Sequence, residues 1–211
     1  MDRAIAFGWF SLLSGVLSLL LVAATLQPAP RSATGQLAYV AGHQGAVAIG
    51  ATIVLSWSVF SIPLVVALGQ ILGPKSPGFA KAATLLTAAG ILLLGFAIFT
   101  RVGALLSIVA AGGPANAAEA AYQVAIWGNL SFYLTDPGLM TLGFGQVLFG
   151  WLAWRSRVLP NWASVVGTVG GTAGLFTLAV YQTPVLALVQ IAAFAAWGFA
   201  TGALLLRRSG H

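Results

Sequence analysis

Long apolar runs alternate with short punctuated connections along the chain, and the runs have the length of helices, not of strands. Crossing about 30 Å of hydrocarbon takes roughly 20 apolar residues in a helix. The stretches that approach or exceed this are residues 4–26, 46–72, 82–101, 138–154, 162–181 and 184–206. Prolines punctuate the connections. Pro28 and Pro30 follow the first run, Pro74 and Pro77 fall in the linker GPKSPGFAK, Pro160 precedes the fifth run and Pro184 opens the sixth. Pro63 instead lies inside the second run, where it withdraws one backbone donor and predicts a kink. A cleaved signal peptide is the rival reading of the first run, but its apolar stretch exceeds the roughly 7–15 residues of a signal core, so a retained span is expected. Residues 31–45 read as a polar connection carrying Tyr39 and His43.

Composition turns these runs into membrane spans. Hydrophobic residues make up 59% of the 211, charged residues 6%, and the mean hydropathy is +0.97. A soluble domain carries about 25% charged residues, so this chain cannot solvate its surface and the lipid bilayer must be its principal partner. The absence of cysteine excludes disulfides, thiolate metal sites and a cysteine nucleophile within this sequence. The formal charge of +6 would suit nucleic acid, but the basic residues stand at the ends of apolar runs, as orientation signals do, and no nucleic-acid partner is expected.

Charge placement also tests the number of spans. With six spans and both termini cytoplasmic, Arg3, Lys75, Lys81, Arg155, Arg157, Arg207 and Arg208 face inward and Arg31 alone occupies an outer loop. A seventh span over residues 115–134 would turn Arg155, Arg157, Arg207 and Arg208 outward with Arg31. The Lys/Arg excess belongs inside, which selects six. The expected fold is an all-α integral membrane protein: one polytopic domain, a six-transmembrane-helix bundle with an extracytoplasmic helical hairpin between spans three and four. Ala163, Gly167 and Gly171, then Gly170 and Gly174, then Gly198 and Gly202, stand four apart and predict close helix contacts within the bundle. Trp9, Trp151, Trp154, Trp162 and Tyr181 fall near span ends, where an aromatic belt would place them.

The hairpin, residues 102–136, breaks at Gly112-Gly113-Pro114 and either extends the neighbouring spans or folds over the outer mouth of the bundle. Thr135 or Asp136 is expected to cap the fourth span, with Pro137 in its first turn. Arg101 lies about 30 Å along a helix from Lys81, and Asp136 about 28 Å from Arg155. If both rulers start at the inner boundary, Arg101 and Asp136 share one depth and form an ion pair. Arg101, Glu119, Gln123, Asn129 and Asp136, with His43 from the first outer connection, are then the candidate outer polar site for a small solute or ion. The same groups also serve a purely structural role, pinning the hairpin.

The groups available for acid–base work are His43, His211, Asp2, Glu119 and Asp136. None belongs to a zinc-hydrolase, serine-hydrolase or phosphate-loop motif, and one histidine with two scattered acids lacks metal-ligand spacing. No cofactor and no metal is expected. The glycines of residues 167–174 sit in an apolar span and read as packing. A non-enzymatic accessory or sensory membrane subunit, working with other membrane protein subunits, is the leading expectation. A small-solute transporter or channel, lined by Ser56, Ser61 and Thr172, is the first alternative. A membrane enzyme acting on a lipid or quinone is the second.

Residues 145–171, GQVLFGWLAWRSRVLPNWASVVGTVGG, carry a resemblance. An apolar helix with glycines, then Arg155-Ser156, Leu159-Pro160, Trp162 and Gly167, resembles the fourth-to-fifth-span turn of an uncharacterised bacterial membrane family, domain of unknown function 4386. The resemblance implies six spans and a bacterial inner membrane, and it implies no site residue.

Overall fold

The computed structural model of the chain describes residues 3–25, 30, 32–177 and 184–209. Asp2, Pro28, Arg31, Tyr181, the turn residues Gln182 and Thr183, and His211 lie outside the described residues. The chain forms helices α1 (Arg3–Thr25), α2 (Ala33–Gly42), α3 (Gln44–Leu72), α4 (Pro77–Ala110), α5 (Ala117–Ser156), α6 (Asn161–Leu175) and α7 (Pro184–Ser209), with a 3-10 turn at Gly73–Lys75. No strand occurs among the described residues.

Four of these helices are long and apolar enough to cross a membrane among the described residues: α1, α3, α4 and α7. The remaining expected spans map differently. Residues 138–154 form the second half of α5, a 40-residue helix whose first half is much more polar. α6 has 15 described residues, about 22 Å at 1.5 Å per residue.

Neighbours pack in the cyclic order α1, α3, α4, α5, α6, α7 and back to α1. The middle is filled by Trp57, Leu64, Leu68, Ile91, Leu142, Phe149, Phe194 and Trp197, all essentially without solvent access. Phe149 and Trp197 meet edge to face with ring centres 5.9 Å apart. The Trp197 indole N–H donates to the Ala163 carbonyl at 2.7 Å. Lipid supplies no hydrophobic drive between helices, so cohesion comes from close packing and interhelical hydrogen bonds. Gly167 lies under the Trp197 ring, Gly170 meets Ala193, Gly171 meets Gly143, and Gly198 meets Ser11 and Gly15. The expected small-residue stripes are used within the chain. Gln146 and Gln190, both buried, add cross-links: Gln146 Nε2 donates to the Gln190 carbonyl at 3.3 Å, and Gln190 Nε2 to that of Leu139 at 2.8 Å.

Two expectations change, the open connection at 31–45 and the helix start at Pro137, and the hairpin stretch follows the first of its two expected alternatives. Of the expected connection 31–45, the described residues 32–45 are not open. Ser32 caps α2 by accepting from Gly35 N–H at 3.1 Å, and Leu37 and Val40, three apart on one face, bury that helix against Leu105, Ala120 and Val124. Residues 102–110 continue α4, and 117–136 are continuous with the rest of α5, so the stretch extends its neighbours instead of folding over them. Pro137 is consequently interior to α5 and does not open a helix. The only breaks in the stretch are at residues 111–116, where Gly112 (φ 92°) and Gly113 (φ 75°) take the left-handed conformation that glycine tolerates.

The cations gather at one end. α1 begins there, α3 and α4 meet there, and α5 and α7 end there. That end therefore holds Arg3, Lys75, Lys81, Arg155, Arg157, Arg207 and Arg208. Lys75 Nζ reaches the Ser156 carbonyl at 3.4 Å, which ties the α3–α4 turn to the end of α5.

Candidate functional site

Helices α2, α4 and α5 converge at the opposite end around a cavity of about 450 Å³. α4 contributes Arg101, with Ile98, Val102 and Leu105 along the same wall. α2 contributes Gln36, Tyr39 and Val40, and α5 contributes Ser131 and Thr135. Gln36 and Tyr39 share a face because residues three apart on a helix stack. Ser131 and Thr135 are related in the same way, one turn apart. The half-buried Arg101 donates from Nη2 to Gln36 Oε1 at 3.2 Å. That partner is neutral, and no carboxylate lies within ion-pair distance of Arg101 among the described residues. Thr135 donates its hydroxyl to the Ser131 carbonyl at 2.7 Å, and the buried Ser131 side chain faces the cavity.

The other sequence-derived candidates do not join Arg101. Glu119 is absorbed in starting α5: Asn116 Oδ1 accepts from the Glu119 N–H at 2.9 Å, while Glu119 Oε2 accepts from the Ala115 N–H at 2.9 Å. This reciprocal arrangement satisfies free amides and places a carboxylate at the positive end of the helix dipole. Gln123 donates to the same carboxylate at 3.1 Å. Asn129 is exposed on α5. His43 is also exposed; its Nδ1–H donates to the Tyr39 carbonyl at 2.9 Å, and its ring stacks on that of Tyr39 at 4.5 Å.

Asp136 is buried but makes no ion pair with Arg101, for two geometric reasons. The first is register. Gly90 of α4 packs against Gly138 and Leu142 of α5, and Gly145 packs against Ala83 and Thr87. The two helices are therefore antiparallel, with Arg101 level with about residue 130 and Asp136 about 9 Å deeper. The second is azimuth. Asp136 shares the face of Gly143, which meets Gly171 and Leu175 of α6, whereas the cavity is lined by Ser131 and Thr135.

The site thus differs from the expected cluster. Arg101 is retained; Gln36, Ser131 and Thr135 were not anticipated. For Gln36 the signal was present, since Ser32 followed by Leu37 and Val40 at helical spacing marks a capped, one-sided helix. Chemically, the cavity offers a fixed cation, a carboxamide, a phenol and two hydroxyls on an apolar floor. This set suits binding a small anion with hydrogen-bonding groups. Among the described residues no group of three metal-ligating side chains occurs.

Residues 6–208 match the family model described as "Domain of unknown function (DUF4386)". The match covers nearly the whole chain and every residue lining the cavity, and the chain belongs to that family. No curated protein and no solved structure matches the chain.

Proposed function

We propose that the protein is a six-span inner-membrane subunit, with both termini cytoplasmic, that binds a small anionic solute in an extracytoplasmic cavity at Arg101 and performs no chemistry of its own. The single observation that carries the binding reading is Arg101 itself, a cation set in a cavity of about 450 Å³ with only neutral partners around it. A cation near hydrocarbon is normally paired, or marks the path of a ligand. Here the pairing group is the solute.

Support for the topology comes from two gradients. Seven cations at one end match the Lys/Arg excess of a cytoplasmic face. On α5 the exposed aromatics Tyr133 and Trp154 stand 21 residues apart, about 32 Å, which matches the hydrocarbon thickness. The second half of α5 is then the fourth span, and its first half projects with the end of α4 beyond the bilayer. α6 completes the fifth. Below the cavity the middle of the bundle is filled by Leu64, Leu68, Ile91, Leu142 and Phe149, which favours binding over passage. The projecting part of α5 also presents Tyr122, Ile126, Leu130 and Tyr133 at its surface, a stripe suited to a neighbouring membrane subunit.

Two measurements test this reading. Single cysteines at Ala118 and Ser76 should label from the periplasmic and cytoplasmic sides respectively; labelling of position 118 from the cytoplasm overturns the topology. A thermal-shift screen of small carboxylates and phosphate esters should find anions that stabilise the wild type and lose that effect in Arg101→Gln. Anions that shift both proteins equally would remove Arg101 from the site.

A further inference from the structure

The basic end holds a second recognition surface, on the outer side of α5 and α6. There a groove of about 410 Å³ runs between Val147, Gly150, Trp151 and Trp154 of α5 and Ser164, Val165, Thr168 and Val169 of α6. Its walls are apolar except at Ser164 and Thr168, and the Thr168 hydroxyl is already engaged with the Ser164 carbonyl at 3.0 Å. Ser164 lines the groove and is almost fully buried, and its hydroxyl has no hydrogen-bond partner. A buried polar group without a partner is costly and calls for an occupant with a matching group.

The mouth of the groove is cationic. Trp151 forms its wall and carries the Arg155 guanidinium on its face, 5.3 Å from the ring centre, with Phe79 against the ring at 5.2 Å. Two residues on, Arg157 terminates α5 in the left-handed conformation (φ 57°), the one non-glycine positive φ among the described residues. Its N–H closes the helix on the Ala153 carbonyl at 3.0 Å. Arginine is not the residue that geometry favours, and strained backbone of this kind tends to persist where a side chain must be aimed. Lys75 adds a third cation beside Ser156. Neither described carboxylate, Glu119 or Asp136, is at this end.

We infer that this groove is a binding site for an anionic phospholipid. Its phosphate sits between Arg155 and Arg157, an ester carbonyl of its glycerol backbone accepts from Ser164, and one acyl chain lies along Val165, Val169 and Val147. The depths agree with that order. Gly150 packs on Ser164 and Thr168, so Ser164 lies level with about residue 152, roughly 5 Å inward of Arg155, and the valines lie further in. Charge complementarity selects an anionic headgroup, since each basic residue at the membrane surface favours one by about fivefold. The inference goes beyond the solute site at Arg101, and it does not depend on which face of the membrane is cytoplasmic.

Native mass spectrometry of the purified full-length protein, titrated with dioleoylphosphatidylglycerol or dioleoylphosphatidylcholine, reads the site directly. The wild type should retain the anionic lipid over the zwitterionic one by about 25-fold, the product of two arginines. Arg155→Gln/Arg157→Gln should lose that preference, while the charge-matched Arg3→Gln/Arg207→Gln should keep it. Ser164→Ala should weaken retention of both lipids a few-fold, because both carry the ester. Equal retention of the two lipids by the wild type overturns the proposal. So does an equal loss of preference in the two double variants, which would mean diffuse attraction to the basic end. If the Arg155/Arg157 variant does not fold, Val165→Phe decides: it fills the groove from its exposed side and should lower phosphatidylglycerol retention, and unchanged retention refutes the site.

Discussion

Adding one methyl group at Gly171 tests whether close backbone contact holds α5 to α6. At Gly171 the methyl carbon would lie 2.6 Å from the Gly143 carbonyl oxygen and 2.7 Å from Val147 N, whereas ordinary contact begins near 3.4 Å. The shortfall is about 0.8 Å, and both atoms are helix backbone, so no rotamer change relieves it. The helices must separate, and overpacking of this kind costs about 1–3 kcal/mol. Alanine also returns up to about 1 kcal/mol of helix propensity, which leaves a net loss of about 0–2 kcal/mol for Gly171→Ala. Gly128 supplies the control. It lies in α5, the other helix of the contact, and has nothing within 4 Å of the added carbon. Gly128→Ala should therefore be neutral or stabilising by up to about 1 kcal/mol. Circular-dichroism melts of the purified protein in detergent read the contrast. For a chain of this size 1 kcal/mol corresponds to about 2–4 °C, so Gly171→Ala should melt lower than Gly128→Ala, by up to about 8 °C below wild type, and Gly128→Ala no lower than wild type. Equal shifts at the two positions would refute the backbone-contact argument.

Arg101→Gln and Asp136→Asn should be additive in stability, with coupling below about 0.5 kcal/mol in a double-mutant cycle; larger coupling would restore the ion pair that the register and azimuth exclude. Gln190→Leu removes the donor to the Leu139 carbonyl and crowds Gly174, which lies against the Gln190 amide. Interhelical hydrogen bonds in membranes average about 0.6 kcal/mol, so a melting point lowered by at least that equivalent is expected, and an unchanged one would contradict the role. Trp197→Phe gives up the 2.7 Å bond to the Ala163 carbonyl and opens a void over Gly167. A loss of about 1–3 kcal/mol should appear in the same melts, and a neutral result would show that the ring is replaceable there.

The places where the sequence misled share a physical cause. Hydrophobic runs and prolines measure an element's length along the chain, and on that axis α1, α3 and α7 are close to expectation. They say little about where an element stops when burial continues on both sides of a break. Thr135-Asp136-Pro137 carries every local mark of a helix start. Yet Ala120, Val124 and Ser131 before it and Leu139, Leu142 and Phe149 after it are all buried, and together they outweigh the hydrogen bond that Pro137 removes. The polar look of residues 31–45 concealed α2 in a similar way, because only Leu37 and Val40 of that short helix are buried.

Register and azimuth were less legible still, and the site depends on both. Matching Arg101 to Asp136 assumed that Lys81 and Arg155 mark one depth. The contact of Gly145 with Ala83 and Thr87 puts Lys81 level with about residue 149, so Arg155 stands about 9 Å further out. That error alone separates the two charges. What sets the offset is the packing of Gly90 against Gly138 and Leu142, a close approach at glycine that leaves no charge or periodicity to read. The same offset brings Ser131 and Thr135, not Asp136, to the wall opposite Arg101, and lets Gln36 supply its neutral partner. The free positive charge in the cavity is thus a product of glycine packing two turns or more away, and a change at Gly90 that shifted α4 along α5 would alter the site without touching any residue that lines it.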